Sequence, residues 1–375
     1  MNDKALQFST DELARYARHL NLPDIGFAGQ QKLKAAKVLV VGAGGLGSPL
    51  LLYLAAAGVG TIGIVEFDVV DVSNLQRQVL FGKNDVGQSK AQAAKIRLES
   101  LNPRIEIRLH ETRLTSENAL GIIQDYDVVA DGSDNFPTRY LVNDACVLLG
   151  KPLVFGAVSR FEGQVSVFNW RGPGGDFGPN YRDLHPVPPP PGLVPNCAEA
   201  GVLGVLPGII GSLQALEVIK IAAGVGEPLS GRLFVFDALN FQSRTFNVKC
   251  RPDTSITQLI DYEQFCGTKA AASPIREITA AELQAWQRRG EKFQLIDVRE
   301  PHEHAANRIE GAELIPLGTV AANVGHISRS EKVVVHCQSG SRSAQAVREL
   351  GEQFGFDNLF NLKGGIVAYL ESYDA

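Results

Sequence analysis

VLVVGAGGLGS, residues Val38 to Ser48, is a run of aliphatic residues that stops on a cluster of glycines. Such a run reads as a short buried strand, and the glycines read as a tight turn at its end. SPLLLYLAAAGVG (Ser48 to Gly60) follows as a strongly apolar helix stopped by Gly58 and Gly60, and TIGIVEFD (Thr61 to Asp68) is the next strand. Strand, glycine turn, helix and strand make a βαβ unit, so the expected fold class is α/β with a Rossmann-like, doubly wound parallel sheet. Gly42, Gly44 and Gly47 satisfy G-x-G-x-x-G directly after the strand. The missing side chains let backbone N–H groups approach a phosphate, and the helix start adds a favourable field.

The rest of the chain extends this pattern. STDELARYARHL (Ser9 to Leu20) is a helix with Ser9 or Thr10 as N-cap, and QSKAQAAKIRLESLN is a helix ended by Pro103. IEIRLHE, YDVVADG, LVFGAV and QVSVF read as strands, and a proline-rich stretch, His185 to Pro195, reads as a stiff exposed segment. GTKAAASPIREI (Gly267 to Ile278) is rich in small residues and marks a boundary. Beyond it FQLIDVRE, KVVVHC and NLFNLKGG are strands separated by helical patterns, a second and smaller α/β domain. The expected division is a nucleotide-type domain over 1–255, a linker over 256–274 and a small domain over 275–375. A chain of 375 residues agrees with two domains.

Composition narrows the function classes. Net charge is -5 and the isoelectric point is near 5.9, which gives no signal for nucleic acid or an anionic membrane. No transmembrane helix is expected, because no long apolar window lacks charge. The N-terminus has no signal-peptide core, and five scattered cysteines argue against a disulfide framework, so the expected setting is the cytoplasm.

The glycine motif alone fits an NAD-dependent oxidoreductase, with Glu66 at the strand end to bind ribose. The residues beyond the motif point elsewhere. Asn74, Arg77 and Lys90 lie downstream, and Asp134 sits in DGSDN after the strand YDVVAD. Basic side chains neutralise a polyphosphate, and a carboxylate at a strand end can hold magnesium. Phosphate or nucleotidyl transfer needs such a set, and hydride transfer does not.

RYARHL, GAGGLGS, EFD, SNLQRQ, VGQSK, DGSDN, EGQVSVF and CAEAGVLGVLPGIIGSLQALEVIK together resemble the MoeB/ThiF adenylyltransferases, prokaryotic relatives of ubiquitin-activating enzymes, over roughly residues 8 to 250. The resemblance implies ATP as co-substrate, with Gly42, Gly44, Gly45, Gly47, Glu66, Asp68, Ser73, Asn74, Leu75, Gln76, Arg77, Lys90, Asp134 and Asn135 around it and Mg2+ on Asp134. Glu66 stands where the family more often has Asp. The resemblance also implies a homodimer, with Arg18 reaching the neighbouring subunit's ATP, and a small ubiquitin-like sulfur-carrier protein whose C-terminal glycine is adenylated. Arg77 and Asp134 would be the residues acting in that step. Cys197 matches a cysteine that links covalently to the carrier in several relatives; it is either such a nucleophile or an idle thiol. Many relatives hold a structural zinc with two CxxC pairs. Here those places read NYRD (Asn180 to Asp183) and KCRPDTSI (Lys249 to Ile256), so no zinc is expected.

The last cassette is VVVHCQSGSRS (Val333 to Ser343). Cys337 ends a strand, and backbone N–H groups, a helix start and Arg342 would form a positive cradle for a persulfide anion. Four residues separate Cys337 from Arg342. Cysteine phosphatases use a longer loop, so the smaller ring suits a sulfur atom. DVREPHEH, RIEGA, CQSGSRS and KGGIVAY resemble a rhodanese domain, with Tyr369 in place of the usual tryptophan. Asp297 and Arg299 read as structural, and His302 and His304 as surface residues. The combined expectation is an adenylyltransferase and sulfurtransferase. It would activate the carrier's terminal glycine and convert it to a thiocarboxylate with sulfur from Cys337, supplied by a cysteine desulfurase or thiosulfate. The alternatives are an enzyme that loads Cys197 as a carrier thioester, the NAD oxidoreductase, and a scaffold that binds carriers without catalysis.

Overall fold

The computed structural model describes residues 8–172, 174–190, 201–252, 254–267 and 275–372. The chain forms two units, Met1–Lys269 and Ala270–Ala375.

The first unit is built on eight strands: β1 (Lys37–Val41), β2 (Thr61–Val65), β3 (Glu106–His110), β4 (Val128–Asp131), β5 (Leu153–Ser159), β6 (Glu162–Phe168), β7 (Arg232–Asp237) and β8 (Gln242–Asn247). Their order is β3-β2-β1-β4-β5-β6-β7-β8. The helices among its described residues are α1 (Thr10–Leu20), α2 (Gly26–Ala35), α3 (Gly47–Ala57), α4 (Lys90–Leu101), α5 (Ala119–Ile123), α6 (Phe136–Leu149), α7 (Tyr181–Leu184), α8 (Val205–Ala223) and α9 (Tyr262–Phe265).

The five strands from β3 to β5 are parallel, as the βαβ pattern requires. Beyond β5 the sheet turns antiparallel, which the parallel expectation did not include. The physical reason is the connection length. Only Arg160 and Phe161 separate β5 from β6, Arg160 has φ +52°, and so short a link makes a hairpin and never a crossover. All six residues of the edge strand β8 are exposed.

α3 and α8 are apolar on most faces, and α8 packs on α3 and across β5 and β6 while leaving Val205, Ile209 and Leu216 exposed. By length and composition α8 could cross a membrane. It instead forms part of the core, with Leu206, Ile210 and Val218 fully buried and Glu217 paired with Lys220.

Residues 256–267, expected in the linker, belong to the first unit. α9 buries Tyr262 and Cys266 in the cluster of Tyr140, Phe155 and Tyr181, and the Tyr262 hydroxyl donates to Asp144 Oδ2 at 2.7 Å. An amphipathic pair of side chains hidden among small and polar residues gave the sequence too weak a periodicity to show this.

The second unit has five parallel strands, β9 (Glu277–Ile278), β10 (Phe293–Asp297), β11 (Glu313–Leu314), β12 (Lys332–His336) and β13 (Leu359–Leu362), in the order β11-β10-β12-β13-β9. Its helices are α10 (Ala280–Arg288), α11 (Pro301–Ala306), α12 (Ser341–Phe354) and α13 (Gly365–Glu371).

Candidate functional site

The strand order of the first unit reverses at β1, whose neighbours are β2 and β4, and a crevice opens beyond the carboxyl ends of these strands, where ligands of such sheets bind. Gly42 N–H donates to Val65 O and Gly132 N–H to Val41 O, both at 2.9 Å, so the turns after β1 and β4 are fixed to each other's strands. Gly47 starts α3 directly against the Gly42 carbonyl; a Cβ there would collide with that oxygen, which is why glycine is needed. The result is a cavity of about 1130 Å³, ample for a nucleotide and part of a second substrate.

Its wall includes Gly42, Gly44, Gly45, Glu66, Asp68, Arg77, Lys90, Asp134 and Asn135, the greater part of the set read from the sequence. Lys90 opens α4, is almost wholly buried, and pairs with Asp68 at 3.2 Å. Arg77 is anchored through Nη1 to Ser73 O at 3.0 Å. Asp134 is exposed to the cavity, while Asn135 caps α6 by accepting from Thr138 N–H at 3.0 Å.

Other expected residues stand off this wall. Gly47 lies beneath the turn. Asn74 and Asp71 exchange bonds within their own turn, Asp71 N–H donating to Asn74 Oδ1 at 3.1 Å and Ser73 N–H to Asp71 Oδ1 at 2.7 Å. Leu75 is packed on the core and Gln76 is exposed. Ser73, Asn74, Leu75 and Gln76 therefore shape the loop that carries Arg77. Arg18 is exposed on α1 and does not reach its own chain's cavity. Glu66, on the wall, is also a structural brace. Its carboxylate accepts Ala43 N–H at 2.9 Å, Phe67 N–H at 2.8 Å and Asp68 N–H at 2.9 Å. Those three bonds tie the glycine turn to the end of β2, and Asp68 is more open to the cavity than Glu66. Cys197 lies outside the described residues.

The structure adds residues that the sequence did not single out. Gln78, Arg113, Ser133 and Arg139 line the cavity. Arg113 lies 5.0 Å over the Phe67 ring and pairs with Glu263. Gln78 Oε1, Ser133 Oγ and Arg139 Nε are buried and find no partner in the protein. Buried polar atoms are nearly always bonded, so orphans gathered on one cavity wall mark the place of a polar ligand.

At the former zinc positions, Asn180 caps α7, and Arg182 grips Asp144 with Nε at 2.8 Å and Nη2 at 2.7 Å. Cys250 is exposed and Cys266 buried, and among the described residues no group of His, Cys, Asp or Glu is arranged to hold a metal ion.

In the second unit β12 delivers Cys337 to the loop that starts α12. Cys337 is 0% exposed. It lies under the loop. Sγ accepts Gly340 N–H at 3.1 Å. Ser343 Oγ is 3.5 Å from Sγ but 2.7 Å from Asn361 Oδ1, so its single proton serves the shorter bond. Ile366 N–H holds the Cys337 carbonyl at 2.9 Å.

Arg342 was expected to make the loop positive. It is instead bound in a fork to Glu303, at 2.7 and 2.8 Å, and this pairing holds the Glu303 carboxyl below its ordinary range. Arg299, fully buried, is likewise spent on Asp297 at 2.7 Å and on Asn307. His304 is drawn to Asp297 at 2.9 Å, so it is a partner of the buried pair and not a free surface residue. The cradle for sulfur is thus made by backbone N–H groups and the start of α12, with the side-chain charges matched around it.

A crevice built by glycine turns with unspent donors, and a cysteine seated under a backbone cradle, define a nucleotide-using transferase joined to a sulfur-handling unit. The ThiF family matches residues 16–257, and the rhodanese-like domain matches residues 279–372. The chain belongs to the ThiF family and carries a C-terminal rhodanese-like domain. It is similar along nearly its whole length to the probable adenylyltransferase/sulfurtransferase MoeZ of Mycobacterium tuberculosis, 52% identical over 374 residues, covering 98% of this chain and 95% of that protein. The sulfur carrier protein adenylyltransferase of Thermus thermophilus is 54% identical over 271 residues, covering 70% of this chain and 100% of that protein. Adenylyltransferase and sulfurtransferase MOCS3 of Anopheles gambiae is 43% identical over 398 residues, 98% of this chain and 89% of that protein. Among solved structures, E. coli MccB with ATP superposes with a TM-score of 0.55 at 22% identity, covering 66% of this chain and 75% of that chain, a likeness of fold. The protein is accordingly an adenylyltransferase and sulfurtransferase.

Proposed function

We propose that the first unit adenylates the C-terminal glycine of a ubiquitin-like sulfur-carrier protein with ATP, and that Cys337 then supplies sulfur to make the carrier's thiocarboxylate. The observation that carries this reading is the union in one chain of a cavity bearing Arg77, Lys90 and Asp134 with a cysteine under an amide cradle.

The glycine turn receives the phosphates, and Arg77 and Lys90 lower the charge that an incoming carboxylate meets. Asp68 is placed for the ribose, and Glu66 keeps the turn rigid. Asp134 is the residue that would hold Mg2+. One carboxylate completed by phosphate oxygens is the usual donor set for that ion, which when bound spreads charge over the phosphates. A carboxylate oxygen attacks the α-phosphorus and pyrophosphate leaves, which turns a poor electrophile into an acyl-adenylate. The outer sulfur of a Cys337 persulfide attacks the acyl carbon and AMP leaves, giving an acyl disulfide. A thiol attacks the Cys337 sulfur of that disulfide, forms a new S–S bond, and releases the thiocarboxylate; Cys197 is the candidate thiol. The sulfur donor is a cysteine desulfurase or thiosulfate, and Arg18 serves the ATP of a second copy in a homodimer.

The test is intact mass spectrometry of candidate carriers incubated with the protein, Mg-ATP, thiosulfate and reductant. Replacement of one carrier oxygen by sulfur supports the reading. Pyrophosphate release without that change would remove the sulfur step. A carrier conjugate that persists in Cys337→Ala would favour the Cys197 thioester, and binding with no pyrophosphate at all would leave a scaffold.

A further inference from the structure

Among the described residues four basic side chains line the cavity of the first unit: Arg77, Lys90, Arg113 and Arg139. Lys90 pairs with Asp68, Arg113 pairs with Glu263, and Arg77 is held by the Ser73 carbonyl beside the glycine turn. Arg139 differs from all three. It stands one turn into α6, Nη2 donates to the Ser133 carbonyl at 3.3 Å, and no carboxylate pairs with it among the described residues. Its Nε is buried without an acceptor. The rings of Phe136 and Phe155 lie 5.7 Å from the guanidinium, and Tyr181 bonds to it, so the cation is held in place by neighbours none of which is a carboxylate bonded to it.

A half-buried guanidinium with an unspent donor is costly unless an anion completes it. Asp131 is not that anion. Its Oδ2 has no partner either, and burial pushes its carboxyl up, only partly offset by Arg139. A guanidinium recruited to neutralise Asp131 would be bonded to it. The missing anion must therefore arrive with a ligand.

Position decides which anion. Arg77 and Lys90 belong to the segment after β2, whereas Arg139 leans on Phe155 of β5; β1 and β4 lie between those two strands. The two cation sets flank the crevice from opposite sides. Pro137, beside Arg139, and Val158 farther along β5 add apolar surface to the same cavity. That surface suits an uncharged peptide tail ending in a carboxylate better than a triphosphate.

We infer that Arg139 binds the terminal carboxylate of the acyl substrate and presents it to the α-phosphorus from the side opposite Arg77 and Lys90. This assignment rests on the adenylation reading. A fork of two N–H donors on one carboxylate fixes its plane and leaves an oxygen lone pair directed at phosphorus.

The test uses the full chain and the carrier found by mass spectrometry, with ATP–pyrophosphate exchange measured against carrier concentration and ATP affinity measured separately without carrier. Arg139→Gln should lower the carrier kcat/KM on the order of a hundredfold, with ATP affinity unchanged. Exchange by Arg139→Ala should be partly restored by added guanidinium ion, which a purely structural role would not allow. Unchanged exchange in Arg139→Gln would overturn the assignment. A parallel fall in ATP affinity would also overturn it, by placing Arg139 on the nucleotide or in the scaffold. If the unsubstituted chain shows no carrier-dependent exchange, the adenylation reading itself falls, and the role of Arg139 falls with it.

Discussion

The two anion-handling turns of this chain share a layout and differ in what they leave unsatisfied. Each follows a parallel strand and opens a helix: Gly42 to Gly47 between β1 and α3, and Cys337 to Arg342 between β12 and α12. Around the first, Gln78, Ser133 and Arg139 keep orphaned polar atoms facing a large cavity. Around the second, the charged groups are paired, Arg342 with Glu303 and Arg299 with Asp297, Sγ accepts a backbone N–H, and the orphaned atoms are the ring nitrogens of the buried His336. A turn that must bind and release soluble substrates keeps its donors unspent. A turn whose substrate becomes a covalent extension of its own cysteine can match its charged side chains in advance, since affinity comes from the bond.

The most severe way to break this contrast is Cys337→Ala. Thiocarboxylate formation should fall on the order of a thousandfold or more, while carrier-dependent ATP–pyrophosphate exchange stays at the level of the unsubstituted chain. Asp134→Ala should do the reverse: exchange should fall on the order of a hundredfold, and thiosulfate:cyanide sulfurtransfer should be untouched. If either substitution silences both assays, the two turns are not chemically independent.

Gly47→Ala tests the first turn as architecture. The added Cβ would meet the Gly42 carbonyl, and about 4 kcal/mol of destabilisation is expected for strain of this kind at a fully packed site. Urea unfolding followed at Trp170, in the first unit, should move, and the transition followed at Trp286, in the second, should not.

His336 gives a pH test of the second turn. Burial pushes its pKa down to about 4 from an ordinary 6.5, and both ring nitrogens are without partners. The unfolded chain therefore takes up a proton below pH 6.5 that the folded unit refuses, so stability falls as pH drops from 6.5 towards 4, by about 3 kcal/mol in all. His336→Phe should flatten that slope. Burial is the largest single influence on Asp297 and would raise its carboxyl, but Arg299, His336, His304 and the Arg299 backbone N–H together outweigh it and lower the carboxyl, so its own loss comes only in more acid solution.

The smallest expected effect is at Glu303→Gln. Removing the negative charge of the fork should leave the charge of Arg342 less fully matched and lower the KM for thiosulfate about threefold, without reducing persulfide formation on Cys337. An unchanged KM would show that Arg342 takes no part in attracting a small dianion.

Much of this was legible in the sequence because it is written in short, ordered stretches. The aliphatic run and glycines of β1, the basic residues Arg77 and Lys90, Asp134 after β4, and Cys337 after β12 all sit where their spacing put them. What was not legible depends on partners far apart in the chain. Glu66 reads from the sequence as a ribose ligand, and only the fold shows the three backbone N–H groups that also make it a brace for the glycine turn. Asn74 reads as a loop residue of the basic cluster, and only the fold shows its Oδ1 accepting from Asp71 within its own turn. Arg342 looks free until Glu303, 39 residues earlier, reaches it. Arg139 carried one faint local signal, its place one turn after the Asn135 cap, but its orphaned Nε is a property of packing alone.

The bond from Tyr262 to Asp144 has a practical bearing on how the protein is divided. A fragment cut at residue 255 would discard α9, strip the cover from Tyr140 and Tyr181, and leave Asp144 with Arg182 as its main remaining neighbour. The adenylating half prepared alone should be soluble and active when it ends beyond Cys266, and prone to aggregate when it ends before Tyr262.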